Sequence, residues 1–350
     1  MGSVAVVVPT IREACIREFL EAWREPLREA SILVIEDNPR KTFDLGDHSN
    51  VTHCAWEDID AELGERSWII PRRTDCVRSF GYYKAAQLRP EMIVTLDDDC
   101  YPLEGAGDFL GEHWARLSEP ARSEAWRSTV QGVVPRGVPY YQRQREAGCV
   151  LNHGLWAGVP DYDAPTQLLC SREPARCESV DQTIPVGCYF PMCGMNVAFK
   201  PAIAPAFYFL LMGRDHPYDR FGDIWAGVFV KKVCDHLGYA VTSGRPAILH
   251  KRASNVWANL RKEAPGLEVN EQLWQAVDRV VLTQRTVAGC YAELAEKLEM
   301  SGEYWARLRE AMRVWAGLFD AAAAEPRSPQ PARIEASASA LLGRSRAKAA

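Results

Sequence analysis

Three adjacent aspartates, Asp97, Asp98 and Asp99, close the apolar stretch EMIVTL. Neighbouring carboxylates repel one another, and packing alone gives no reason to set them at the end of a strand that reads as buried. Such a cluster suits a hard divalent cation. Mg2+ or Mn2+ takes one or two carboxylates and completes its shell with phosphate oxygens and water. The ion offsets the repulsion and neutralises a bound diphosphate, which makes it a better leaving group. A solvated acidic turn is the bland reading of a lone cluster. Here the apolar strand before it and the residues downstream favour the ligand-binding reading. His250 ends the apolar AILH and can supply a nitrogen to the same ion, although an isolated histidine is more often structural. Asp223, after Gly222, opens a helical stretch; it is either a cap or a carboxylate aimed at a substrate hydroxyl. Arg72, Arg73 and Arg78 fall between two expected elements, and their forked guanidinium groups match phosphate oxygens.

Several alternating elements must position these groups. VAVVV (4–8) is a continuous apolar run, as in a strand covered on both faces. Cys15, Phe19, Leu20, Trp23 and Leu27 then recur at helical spacing. SILVIE (31–36) reads as a second strand, SWII (67–70) as a third, Phe80 to Leu88 as a helix, and EMIVTL as the next strand. Strand, helix, strand in succession predicts parallel pairing in an α/β sheet flanked by helices. Ligands of such sheets sit beyond the carboxyl ends of the strands. Thr10, Asp37 and Asp97–Asp99 all lie at those ends. Residues 130–200 read as loops and short strands closing over the cleft, and 223–238 as a helix stopped by Gly238. YAVTSGRPAILH reads as a strand pair or one bent strand. Trp305, Leu308, Met312, Trp315 and Phe319 alternate by three and four along a helix. One domain is expected over 1–320, with its helical part from about 268, and a disordered tail over 321–350, where Ala, Pro, Ser and Arg dominate.

Composition narrows the function. The 350 residues are 47% hydrophobic and 25% charged, as in an ordinary globular protein, and the net charge of −5 gives no basic surplus for a nucleic-acid partner. No apolar run has membrane-spanning length, and the first residues lack the pattern of a signal peptide. Eleven cysteines are scattered without a C-x-x-C pair, as expected of reduced thiols in a cytoplasm. Cys170, Cys177, Cys188 and Cys193 have no usual zinc spacing. The glycines of GAGDFLG (105–111) follow the acidic turn, not a strand, so neither a flavin nor an NAD site is expected.

The ordered set PTIREACIREFLEAW, IEDNP, CVRSFGY, TLDDDC, HGLWAGVPDYDAPTQL, FPMCGMNVAF, DIWAGVFVKKVCDHLG and HKRASN resembles the reversibly glycosylated polypeptides, or UDP-arabinopyranose mutase family, from VPTIRE to about Trp315. The resemblance implies a glycosyltransferase A-type nucleotide-sugar fold with a mostly parallel central sheet and C-terminal helices. It implies a cytosolic enzyme that interconverts UDP-L-arabinopyranose and UDP-L-arabinofuranose with Mn2+ or Mg2+ and no redox cofactor; a homo-oligomer is compatible with it. Its acidic signature maps onto Asp97, Asp98 and Asp99, with Asp97 toward the ribose and the metal, Asp98 in the nucleotide site and Asp99 on the metal. His250 then completes the metal shell, Thr10, Arg12 and Asp37 border the uridine, and Arg78 meets the diphosphate. Asp163 and Asp223 are the expected orienting or proton-moving groups. The family's glycosylated arginine precedes S-H-G-L-W. Here the segment reads YYQRQREAGCVLNHGLW, with an indel, which places that role on Arg145, in the Arg-Glu pair, or Arg143. A UDP-sugar glycosyltransferase, self-glycosylating or not, and a non-catalytic UDP-sugar-binding scaffold are the alternative readings.

Overall fold

The computed structural model describes residues 2–105, 107–122, 130, 133, 134, 136–140, 146–170, 175, 176, 181–251 and 255–320. The chain begins with β1 (Val4–Thr10), α1 (Glu13–Ala22), β2 (Ser31–Glu36) and β3 (Val51–Cys54), followed by α2 (Trp56–Leu63) and α3 (Arg78–Gln87). β4 (Met92–Leu96) leads into the three aspartates, and β5 (Cys100–Pro102), α4 (Phe109–Ser118) and β6 (Pro120–Arg122) follow. Next come β7 (Glu146–Gly158), α5 (Ala164–Leu169), β8 (Ala175–Arg176), β9 (Gln182–Thr183) and β10 (Asn196–Phe199). The chain continues through α6 (Gly222–Leu237), β11 (Ala240–His250), α7 (Val256–Arg279), α8 (Val287–Lys297) and α9 (Glu303–Asp320). The expected 321–350 tail lies outside the described residues. No described helix is long and apolar enough to cross a membrane.

The central sheet runs β3-β2-β1-β4-β10-β7-β11-β5, with β6 and β8 on β7 and β9 on β11. It is mixed, not purely parallel. β3, β2, β1 and β4 are parallel, as are β7 and β11, but β10 runs against both β4 and β7. The reason lies in where β10 starts: Asn196 pairs with Leu96, so β10 enters at the end where β4 stops and must run away from it. As a result, the carboxyl ends of β1, β2, β4, β7 and β11 and the start of β10 meet along one edge.

Helices cover both faces. Ala5 and Val7 of β1 face a core that includes Phe80, Tyr82, Trp225 and Trp315. Val4, Val6 and Val8 face Phe19, Trp23 and Phe109 on the other side. This strict alternation is why VAVVV has no polar position. α3 comes so close to β1 that a Cβ on Gly81 would overlap Val7 Cγ1. Trp315 of α9 stacks on Tyr208 with ring centroids 5.2 Å apart. Thus the three-and-four alternation of the last helix is a face packed on its own core.

Two elements differ from the expectation. Residues 67–69 belong to a 3-10 turn, Gly64–Ile69, which Ile70 ends, and the third strand is instead VTHC. β7 is a strand of 13 residues within the stretch expected to be loops and short strands. Its buried Asn152 is satisfied by the His113 ring at 2.9 Å, and His113 also bonds Asn196 Oδ1 at 3.0 Å. Burial lowers the His113 pKa to about 3, so this link between α4, β7 and β10 stays neutral.

Candidate active site

The three aspartates beyond β4 have different surroundings. Asp98 points inward and is 3% exposed. Thr10 Oγ1 donates to Asp98 Oδ2 at 2.6 Å, and the Arg12 guanidinium closes over the same carboxylate. Asp97 accepts from Arg78 Nη2. Asp99 accepts from Arg12 Nη2 at 3.0 Å and faces His250, whose Nε2 lies 3.8 Å from Oδ1. Burial, then the charges of Asp97 and Asp98, raises the Asp99 pKa. β5 pairs with the end of β11, His250 opposite Cys100, and Lys251 N–H donates to the Asp99 carbonyl at 3.2 Å. A sheet ladder therefore brings Asp99 and His250 together.

The His250 ring is oriented by the backbone. Its Nδ1–H donates to the Val159 carbonyl at 2.8 Å. The neutral imidazole then carries its lone pair on Nε2, the atom that faces Asp99. Among the described residues, no three acidic, imidazole or thiol groups already converge as a metal centre. The residues nonetheless fit a hard cation. Two cleft-side carboxylates, Asp97 and Asp99, stand beside an imidazole with an outward nitrogen and a fixed tautomer.

Across the cleft is a second acidic group. Asp223 is the second residue of α6; its Oδ2 accepts from Gly194 N at 3.0 Å and its Oδ1 from Ile224 N at 2.8 Å. Burial, followed by the charges of Asp75 and Asp161, raises its pKa to about 7. Asp161 accepts from Cys193 Sγ at 2.6 Å, and burial raises its pKa too. Asp163, expected in this role, is elsewhere: it is exposed and caps α5 by accepting from Thr166 N at 2.8 Å. In PDYD the first aspartate lines the cleft and the second starts the helix.

Asp37 lies at the end of β2. It accepts from the Arg73 and Thr74 amides at 2.9 and 2.7 Å and from Trp56 Nε1 at 2.7 Å. It thus holds the loop that lines this end of the cleft. Arg73 sits there with φ 59°, its guanidinium carbon 5.8 Å from the Trp56 ring. Arg72 turns to the Ile70 carbonyl and Asp60. Arg78 is 2% exposed and bonded to Asp75, Thr95, Gly194 and Asp97.

Thr10, Arg12, Asp37, Arg78, Asp97, Asp98, Asp99, Asp223 and His250 thus line one cleft of about 780 Å3. Asp163 does not, and Arg143 and Arg145 lie outside the described residues. Of the four cysteines, Cys170 and Cys188 are exposed, Cys193 lines the cleft, and Cys177 is outside the described residues. The cleft is lined by eight aspartates against four arginines and one lysine. Asp75, Asp161 and Arg220 were not identified from the sequence. Only Asp161 carried a local signal, as the other aspartate of PDYD.

An α/β protein with an acidic cleft beyond the strand ends is the class that fold and site define. The family model described as reversibly glycosylated polypeptide matches residues 1–324. UDP-arabinopyranose mutase 1 of Arabidopsis thaliana is 36% identical over 335 residues, 90% of this chain and 91% of the relative. UDP-arabinopyranose mutase 2 of the same plant is also 36% identical over 335 residues, with the same coverage. UDP-arabinopyranose mutase 1 of Oryza sativa subsp. japonica is 34% identical over 335 residues, 90% of each chain. The chain belongs to the reversibly glycosylated polypeptide family.

Proposed function

We propose that this protein is a UDP-arabinopyranose mutase, an intramolecular transferase that interconverts UDP-L-arabinopyranose and UDP-L-arabinofuranose on a glycosyltransferase A-type fold. The observation that carries the reading is the alignment of nine-tenths of the chain with relatives named for that activity. The cleft is in keeping with it. An excess of carboxylates repels a bare diphosphate, so a nucleotide sugar needs a countercharge there. Asp97, Asp99 and His250 would hold Mn2+ or Mg2+, which supplies that charge when bound.

The residues of the chain divide the remaining work. Thr10 and Arg12 fix Asp98, and Asp37 fixes the uridine-side loop. In the reaction, the bond from C1 to the diphosphate oxygen breaks and its electron pair leaves with UDP. The sugar O4 gives its proton to Asp223 and bonds C1. UDP then reattacks C1, the bond from C1 to the ring oxygen breaks, and that oxygen takes the proton back. A carboxyl group with a pKa of about 7 suits both transfers.

The test is to incubate purified protein with UDP-L-arabinopyranose and Mn2+, without acceptor, and to separate the products. Formation of the furanose nucleotide, lost with chelator and restored by Mn2+, is expected. Release of free arabinose and UDP alone would assign a transferase, and binding without turnover a scaffold; either result overturns the proposal.

A further inference from the structure

Among the described residues, Arg220 is the cleft-lining cation whose guanidinium is anchored at Nε while Nη1 and Nη2 stay free of hydrogen bonds. Arg78 has bonds at Nε, Nη1 and Nη2, to Asp75, to Thr95 and Gly194, and to Asp97. Arg12 is closed over Asp98 and Asp99. Lys262 is exposed and pairs with Asp219 at 3.1 Å, and the exposed Arg73 lies 5.8 Å from the Trp56 ring with, among the described residues, no carboxylate to aim it. Arg220 donates from Nε to Glu263 Oε1 at 2.8 Å. Among the described residues, its Nη1 and Nη2 make no hydrogen bond.

The setting of Arg220 is built for direction. Its backbone has φ 65°, a left-handed conformation that a non-glycine residue keeps only when its surroundings enforce it. Three contacts surround it. Asp219 Oδ1 accepts from its amide at 2.9 Å. Glu263, 3% exposed on α7, takes its Nε. One turn later, Gly266 lets α7 approach the neighbouring Phe221 so closely that a Cβ there would overlap the ring. The second oxygen of Glu263 accepts from Ala164 N at 2.7 Å, at the start of α5. One buried carboxylate thus ties the segment after Asp161 to the side chain of Arg220.

We propose that Arg220 is the residue that grips the diphosphate of the nucleotide sugar, and that Glu263 is the positioning residue that aims it. This rests on the reading of the cleft as a nucleotide-sugar site. Nε occupied and both Nη groups open is the arrangement that offers two parallel N–H donors to phosphate oxygens. The diphosphate gains negative charge as the bond to C1 breaks, so the grip strengthens in the transition state.

The experiment measures the affinity of UDP and of uridine, beside turnover, for wild type, Arg220→Ala, Arg220→Lys and Glu263→Gln. Arg220→Ala should weaken UDP roughly 10–100-fold, as for loss of a charged hydrogen-bonding group, and leave uridine unchanged. Turnover should fall by about 100-fold or more. Arg220→Lys should recover only part, since the fork is lost. Glu263→Gln keeps an acceptor for Ala164 N and should lower kcat and UDP affinity while sparing uridine, a split that a purely structural role does not produce. If Arg220→Ala does not fold, Arg220→Lys carries the same comparison. Unchanged UDP affinity, or equal loss of UDP and uridine, overturns the assignment. A wild-type protein that fails to bind UDP overturns it together with the reading of the cleft. Wild-type turnover with an Arg220→Ala variant that keeps UDP affinity removes the role of Arg220 alone.

Discussion

Asp97, Asp98 and Asp99 are consecutive in sequence but unlike in surroundings, and these differences set what each substitution should do. Asp98 is an anchor under Thr10 and Arg12, whereas Asp99 gives one oxygen to Arg12 and faces His250 with the other, at the cleft. His250→Ala should therefore lower Mn2+ affinity at least roughly tenfold, by analogy with the cost of disturbing ligand support, without changing the melting temperature of the metal-free protein much. Titration of Mn2+ monitored by its paramagnetic resonance signal checks this. Asp223 has a further signature. Its folded-state pKa of about 7 lies above the ordinary carboxyl value. Between these two values the unfolded chain has lost the proton and the folded chain keeps it, so stability falls as pH rises through that window and levels off above it. Asp223→Asn cannot ionise. Its amide cannot replace both acceptor oxygens, so the readout is the change with pH: the variant should gain on wild type between pH 5 and pH 8, with turnover lost at both. Melting curves at the two pH values decide; a variant that gains nothing on wild type between them contradicts a buried carboxylate that titrates near neutrality.

At the scale of elements, the close approach of α3 to β1 places Arg78 under the acidic turn. Gly81→Ala adds a methyl group where Val7 already sits, so α3 must move and carry Arg78 with it. The cost should be about 1–3 kcal/mol, read by urea unfolding, with a loss of turnover beyond the fraction unfolded. The same scale shows how far the sequence could be read. β1, β2 and β4 were legible because both of their faces are buried and every position is apolar or nearly so. VTHC was not, because β3 is the edge strand and only Cys54 among its four residues is buried. SWII resembles a strand, yet Ile69 and Ile70 reach the core from the end of a 3-10 turn and the residue after it. β7 was hidden by Asn152, His153 and two internal glycines. Its polar residues are satisfied by partners far away in sequence, and no local pattern reveals such pairing. The aspartates of the cleft were visible as a cluster, while Arg220 gains its meaning only from Glu263, 43 residues later.

For the molecule as a whole, the proposed reading of the acidic cleft implies that ligand and cation are interdependent. UDP and Mn2+ together should raise the melting temperature by several degrees, since ligand at about 100 times its Kd adds roughly 2.7 kcal/mol to stability. UDP with chelator should add much less, because the diphosphate then faces the carboxylates without countercharge. Thermal scans of the four combinations measure the coupling. Equal shifts with and without Mn2+ contradict it.

The turn from Gly158 to Val159 has a consequence for how the chain can vary. Gly158, at φ 94°, lies so close to the His250 carbonyl that any Cβ would overlap it. Val159 donates its amide to that carbonyl at 2.9 Å and accepts the imidazole proton on its own. The first position therefore demands the absence of a side chain. The second serves the site through its main chain alone. A saturation library across the two should separate sharply: only glycine survives at 158, and at 159 nearly everything does except proline, which has no amide hydrogen to give. Such tolerance at 159 would conceal a residue the imidazole depends on, because substitution frequencies record side chains and not the backbone groups between them.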